Sequence, residues 1–194
     1  MQVGGEAKVG SERTQLIVSG WACDQRLLCD GRRQIFAFLI PGDTITVSAD
    51  QGLAPYVVVA LTQLLLVSRA PDFAPSDDER EIISRADALG AAQRRERLYD
   101  QLVRIGRLSA RERAIHLLLE LHNRLARVGL VKDGTFKVPV NQEVLADALG
   151  LSVVHINRTL RELRDDNLIR IKAGAVTLKN LPKLIAISGY ITPN

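Results

Sequence analysis

The chain has 194 residues, 46% of them apolar, and a formal net charge of +4 at pH 7. That is enough for one large or two modest domains with real cores. The opening MQVGGEAKVGSERT lacks the apolar core of a signal peptide, and the longest apolar stretch, 56–67, is short and interrupted by Thr62 and Gln63. Neither an exported nor a membrane-spanning chain is therefore expected, and a soluble cytoplasmic one is.

The charge is uneven, with 6 basic and 7 acidic side chains in residues 1–75 against 20 and 15 in residues 76–194. A basic C-terminal portion suits contact with nucleic acid. Two cysteines, Cys23 and Cys29, are too few to staple a fold and are expected to be small core-facing residues, with redox sensing by the pair from neighbouring strands as the alternative.

Residues 15–68 read as β structure. Short strand-like runs cover 16–18, 22–28, 34–40, 44–48, 56–60 and 63–67, with a hairpin turn at Asp30-Gly31 and a corner at Pro41-Gly42-Asp43. Frequent turns between short strands predict a sandwich or small barrel.

After a loop at 69–75, Ser76-Asp77-Asp78-Glu79 is a capping-box signature, and no proline follows until beyond Leu108. A helix of about 30 residues, about 45 Å long, is too long for one small domain to bury and either bridges domains or pairs with a partner. Ile82, Ala86 and Leu89 supply one candidate seam, and Leu98, Leu102 and Ile105 another. The Arg94-Arg95-Glu96-Arg97 run between them reads as a solvated helix face.

Ser109-Ala110-Arg111-Glu112 is a second capping box, opening a helix whose apolar side holds Ile115, Leu118, Leu119, Leu121 and Leu125 and which ends near Gly129. His116 and His122 on it lie six apart, not at the four-residue spacing of a metal pair, and are expected to be partly exposed. A short strand is expected at 135–138.

Residues 141–170, NQEVLADALGLSVVHINRTLRELRDDNLIR, carry the most information. Leu145, Ala146 and Leu149 form a buried stripe on one short helix, Gly150 permits a tight turn, and Ser152 caps a second helix with Ile156, Leu160 and Leu163 inward. Val153, Val154, His155, Asn157, Arg158 and Arg161 fall on its open side. Strand alternation over 167–172, a turn at Ala173-Gly174 and a return strand at 175–178 make a hairpin. A hairpin directly after such a helix pair is the pattern of a winged helix. Its Arg170, Lys172 and Lys179 either solvate the hairpin or lie along phosphates.

This order resembles the Crp/Fnr family of bacterial transcription regulators. The resemblance is carried by SGWACDQRLLCDGRRQIFAFLIPGD (19–43), IGRLSARERAIHLLLEL (105–121) and VNQEVLADALGLSVVHINRTLRELRDDNLI (140–169). It implies an α+β chain in three parts. Residues 1–75 would be a shortened cyclic-nucleotide-binding-like β sensor, an incomplete antiparallel sandwich or jelly roll without the usual first helix and first strand. Residues 76–108 would be the connecting and dimerisation helix, and residues 109–194 the winged helix-turn-helix, with a hinge at 106–109.

The departures narrow the reading. Family members that bind cyclic nucleotide carry a Gly-Glu pair after the Pro-Gly-Asp turn and an Arg-Ser or Arg-Thr pair further on; this chain has Thr46-Val47 and Ala54-Pro55 there. A cyclic phosphate needs a charge-assisted donor, and no arginine lies between Arg33 and Arg69. Dependence on cyclic AMP is therefore not expected. The cysteine cluster of the family's iron–sulfur sensors is absent too. No cofactor, metal ligand or catalytic residue is expected, and an unknown small-molecule effector is left as a further partner.

The resemblance implies a homodimer on a palindromic double-stranded operator. Arg158, retained from the family's recognition helix, would read a guanine. Val154, His155 and Asn157 would assist, with Val153 and Arg161 on the same surface, Ser152 at a phosphate, and Arg170 and Lys172 along the backbone. Val153 and Val154 either pack at the start of the helix or meet a thymine methyl. An adaptor that binds a protein partner through the same helix is the alternative function.

Overall fold

The computed structural model describes residues 13–47, 57–68 and 74–191. Ala54-Pro55, one of the two positions weighed against cyclic-nucleotide binding, lies outside the described residues.

Among the described residues, the N-terminal part holds six strands: β1 Arg13–Ser19, β2 Ala22–Leu27, β3 Arg33–Leu39, β4 Thr44–Val47, β5 Val57–Ala60 and β6 Leu65–Ser68. They form two antiparallel three-stranded sheets, ordered β4-β1-β6 and β3-β2-β5. Alternation along β2 and β3 serves two cores. Ala22 and Leu39 pack with Ile17 and Ile45 between the sheets. Cys23 and Phe38 instead join a larger core that runs on through Leu117, Leu121, Ile156 and Leu163. One apolar cluster therefore joins the β lobe to the C-terminal helices.

Both capping boxes form as the sequence requires. Ser76 opens α1, Asp77–Arg107, and Ser109 opens α2, Ala110–Arg127. Then follow β7 Thr135–Lys137, α3 Gln142–Leu149, α4 Val153–Asp165, β8 Ile169–Lys172, β9 Ala175–Leu178 and α5 Leu181–Ser188. β7 pairs with β9, which makes the wing a three-stranded sheet. The wing turn falls on Ala173 and Gly174, both at positive φ.

Several expectations need correction. The first wing strand begins at Ile169, because Asn167 adopts a left-handed conformation that closes α4. The strand expected over 63–67 runs Leu65–Ser68. Helix α5 has no counterpart in the sequence reading; it packs on α2 and brings Tyr190 against the His116 ring. His116 is buried, not partly exposed. Cys23 is buried, with a thiol pKa pushed up to about 11 by burial, whereas Cys29 is exposed in the hairpin turn and does not face the core.

The sharpest correction concerns α1, at about 1.5 Å per residue some 46 Å long. Its fully buried side chains are Gln101 and Arg104, and Arg97 also turns inward, pairing with Asp43 at 3.5 Å. The Arg94–Arg97 run is thus only half a solvated face: Arg95 and Glu96 are exposed, but Arg94 donates to Thr44 Oγ1 at 2.9 Å. Meanwhile Leu98, Tyr99, Leu102 and Val103 are exposed. The helix buries a polar stripe and shows an apolar one.

The polar stripe closes around buried carboxylates. Glu120 accepts from Arg104 at 2.5 Å and Arg124 at 2.7 Å; Asp43 accepts from Arg124 at 2.5 Å and caps the Ile40 amide at 2.8 Å. Burial alone would raise Glu120, but the two guanidiniums hold it below the usual carboxylate range. At the Pro41-Gly42-Asp43 corner Gly42 has φ +94° and a Cβ there would sit 2.7 Å from Val128 Cγ1. Only glycine allows the corner to close against the end of α2.

Candidate nucleic-acid interface

The helix pair is built by local chemistry. Asn141 Oδ1 accepts from the Val144 amide at 2.9 Å and starts α3. Gly150, at φ +62°, ends it in the left-handed cap geometry. Ser152 Oγ accepts from the His155 amide at 3.2 Å and starts α4.

The end of α3 is held by other parts of the chain. A helix leaves its last four carbonyls without intrahelical partners. Here Ala146 O takes the Gly150 and Leu151 amides. Asp147 O accepts from Gln34 at 3.1 Å, Ala148 O from Gln101 at 2.6 Å and Leu149 O from Arg113 at 3.0 Å. One side chain each from β3, α1 and α2 thus fixes the turn before α4. Arg33 adds an ion pair to the Asp147 carboxylate at 2.5 Å, and Arg111 pairs with Asp166 at the far end of α4 at 2.6 Å.

On this support α4 buries Ile156, Thr159, Leu160 and Leu163. Its outer side exposes Val153, Val154, Asn157, Arg158 and Arg161, with His155 half-buried and Ser152 exposed in front. Val154, at 80% exposure, does not pack at the start of the helix. Arg158 lies 3.8 Å from Glu162, and Arg161 3.9 Å from Asp165. These are long, solvated contacts from which either guanidinium can turn away at little cost. No acidic residue occupies the first turn of α4, so the positive end of its dipole faces outward uncompensated.

Arg170 and Lys172, two apart on β8, are both exposed on one face of the wing. All nine sequence-predicted residues therefore lie on the outer side of α4, its preceding turn or the wing. Of the six seam residues, Ile82, Ala86, Leu89, Leu98 and Leu102 are exposed and Ile105 is half-buried. Tyr99 and Val103, which extend the second seam, were missed. The signal was present: Leu98, Tyr99, Leu102 and Val103 sit at i, i+1, i+4 and i+5. Gln101, Gln34 and Arg113 were missed as well, and nothing in their spacing marks them as partners of α3. Among the described residues, no group of three or more His, Cys, Asp or Glu comes together to hold a metal ion, and no helix is long and apolar enough to cross a membrane.

Residues 112–187 match the Crp-like helix-turn-helix domain family. The nitrogen fixation regulation protein FixK of Azorhizobium caulinodans is 29% identical over 82% of this chain, and the transcriptional activator FnrL of Cereibacter sphaeroides 30% identical over 80%. The chain spans 64% of the length of each. Among solved structures, FixK2 of Bradyrhizobium japonicum superposes with a TM-score of 0.71 at 24% identity, covering 94% of this chain and 89% of that one. A CRP-family transcriptional regulator of Thermus thermophilus gives 0.68 at 24%, covering 93% and 90%. At this identity the two structures establish likeness of fold.

Proposed function

We propose that the chain is a transcription regulator of the Crp/Fnr type, as its likeness to that family supports, and that it binds duplex DNA in sequence-specific fashion, reading the major groove with α4. The observation that carries this is the outer side of α4: Val153, Val154, Asn157, Arg158 and Arg161 exposed together on a helix whose opposite side is wholly buried. Arg158 forks onto a guanine, Val154 meets a thymine methyl, and His155 and Asn157 complete the row. Ser152 at the open start of α4 and Arg170 and Lys172 on the wing lie along phosphates.

In this reading residues 109–194 are the DNA-binding part, 76–108 the dimer helix and 1–75 the sensor. The exposed apolar stripe of α1 supports dimerisation, since an apolar face beside a buried polar one gains from meeting a second copy. A two-fold dimer would take a palindromic operator with half-sites about one turn apart. The protein acts in the cytoplasm, by binding and not by catalysis.

Selection of bound duplexes from a random pool, with purified protein and no added ligand, tests this. Enrichment of a palindrome with a constant guanine in each half is expected. Recovery of random sequence, or binding indifferent to salt, counts against it, because phosphate contacts release counterions and weaken steeply as salt rises.

A further inference from the structure

The β lobe and the winged helix together line an open-sided cavity of about 750 Å³. Its β-lobe wall is Trp21 and Pro41; its other wall is Leu130, Phe136 and Ala175, on the α2–β7 loop, β7 and the foot of β9. The lining is mostly apolar. Val18 and Leu130 of this lining are 46% and 50% exposed and offer apolar surface to a ligand.

Two charged residues line it, Lys132 and Lys137, and both are exposed. No carboxylate lines the cavity, and neither ammonium has an ion-pair partner among the described residues. Thr62 and Thr135 add hydroxyls at the same walls. A space of a few hundred Å³ or more with an apolar body and a few convergent polar groups is the usual form of a small-molecule site. Here those polar groups carry one sign of charge.

We propose that this cavity binds a small organic carboxylate, its apolar body against the exposed Val18 and Leu130 over the edge of the buried Trp21 and its carboxylate at Lys132 and Lys137. The ligand touches both lobes, so it binds the arrangement in which they are docked in preference to any in which they part. It thereby favours one placement of the winged helix relative to the β lobe. The site rests on the cavity and its charge alone and stands apart from DNA reading, since it can be measured with no DNA present.

Trp21 is the only tryptophan in the chain, so its emission reports on the cavity wall. The test titrates the full chain with phenylbutyrate and with the neutral phenylbutanol, following Trp21 emission and heat of binding. Saturable binding of phenylbutyrate is expected, about tenfold tighter than that of the alcohol. The Lys132→Gln, Lys137→Gln double variant, exposed at both positions, should remove that tenfold advantage and leave the alcohol unaffected. Leu130→Glu should abolish phenylbutyrate binding. Absence of saturation by both readouts at millimolar acid, or binding that neither variant weakens, overturns the proposal.

Discussion

The Gln101 side chain of α1 donates to the backbone carbonyl of Ala148 at 2.6 Å, and to that of Ile35 at 3.3 Å. One amide on the long helix thus holds the last turn of α3 and the edge of β3 together. Gln101 is 4% exposed, and Arg104 donates to its oxygen at 2.5 Å. Replacing it with alanine removes the side-chain donor to the Ala148 carbonyl and takes one acceptor from Arg104, which keeps Glu120 and His116. A loss of about 2 kcal/mol of stability is expected, read from the urea midpoint; a change below about 0.5 kcal/mol would show that water replaces the amide freely.

Asp43 carries a heavier load. Its carboxylate neutralises Arg124 and Arg97 and caps the Ile40 amide. Removing one partner of a buried ion cluster costs about 3–5 kcal/mol, because the remaining charges stay buried without compensation. Asp43→Ala should fall in that range and Asp43→Asn, which keeps the cap, should recover part of it. Equal losses for the two would place the whole effect in the charge.

His116 makes stability depend on pH. Burial, and then the Arg104 charge, lower its pKa from 6.5 to about 4. Arg104 donates to Nδ1 at 3.1 Å, Glu120 lies on the same guanidinium, and Tyr190 stacks edge-on. Between pH 6.5 and 4 the unfolded chain binds the extra proton. Stability is therefore complete above pH 6.5 and declines as pH falls toward 4, by at most about 3 kcal/mol. His116→Gln should flatten the stability profile across that window, and an unaltered slope would assign the pH dependence to other groups.

The apolar stripe of α1 gives an assembly prediction. Leu98→Glu with Leu102→Glu alters side chains 45% and 62% exposed, so the fold of each chain should survive. Sedimentation should then report monomers where the parent chain is dimeric. A dimer that persists moves the interface off α1.

Arg158→Ala should weaken binding to the selected operator by about 1–3 kcal/mol and relax preference at one guanine per half-site. Circular dichroism should be unchanged, since the side chain is 68% exposed. Loss of affinity that is uniform across operators would make Arg158 a phosphate contact instead.

Short-range chemistry was legible in the sequence. Both serine capping boxes, the Asp30-Gly31 and Ala173-Gly174 turns, the Gly150 cap and the inward stripe of Ile156, Leu160 and Leu163 depend on residues within one or two turns of each other. The outer side of α4 could be read for the same reason, as whatever the stripe leaves uncovered. The charged run of α1 was misread because there that logic is reversed. On α1 the periodic apolar residues face out, and Arg97, Gln101 and Arg104, which resemble a solvated face, point in.

The amino-acid sequence by itself therefore determined most of the elements, the starts of α1 to α4 and the exposed row on α4, because caps, turns and helical periodicity act over a few residues. Only the tertiary structure decided which charges are buried, that His116 lies among them, and that the carbonyls of α3 are held by Gln34, Gln101 and Arg113. Those partners stand up to 113 residues apart, and a buried charge is tolerable only where a distant chain segment supplies its counter-charge.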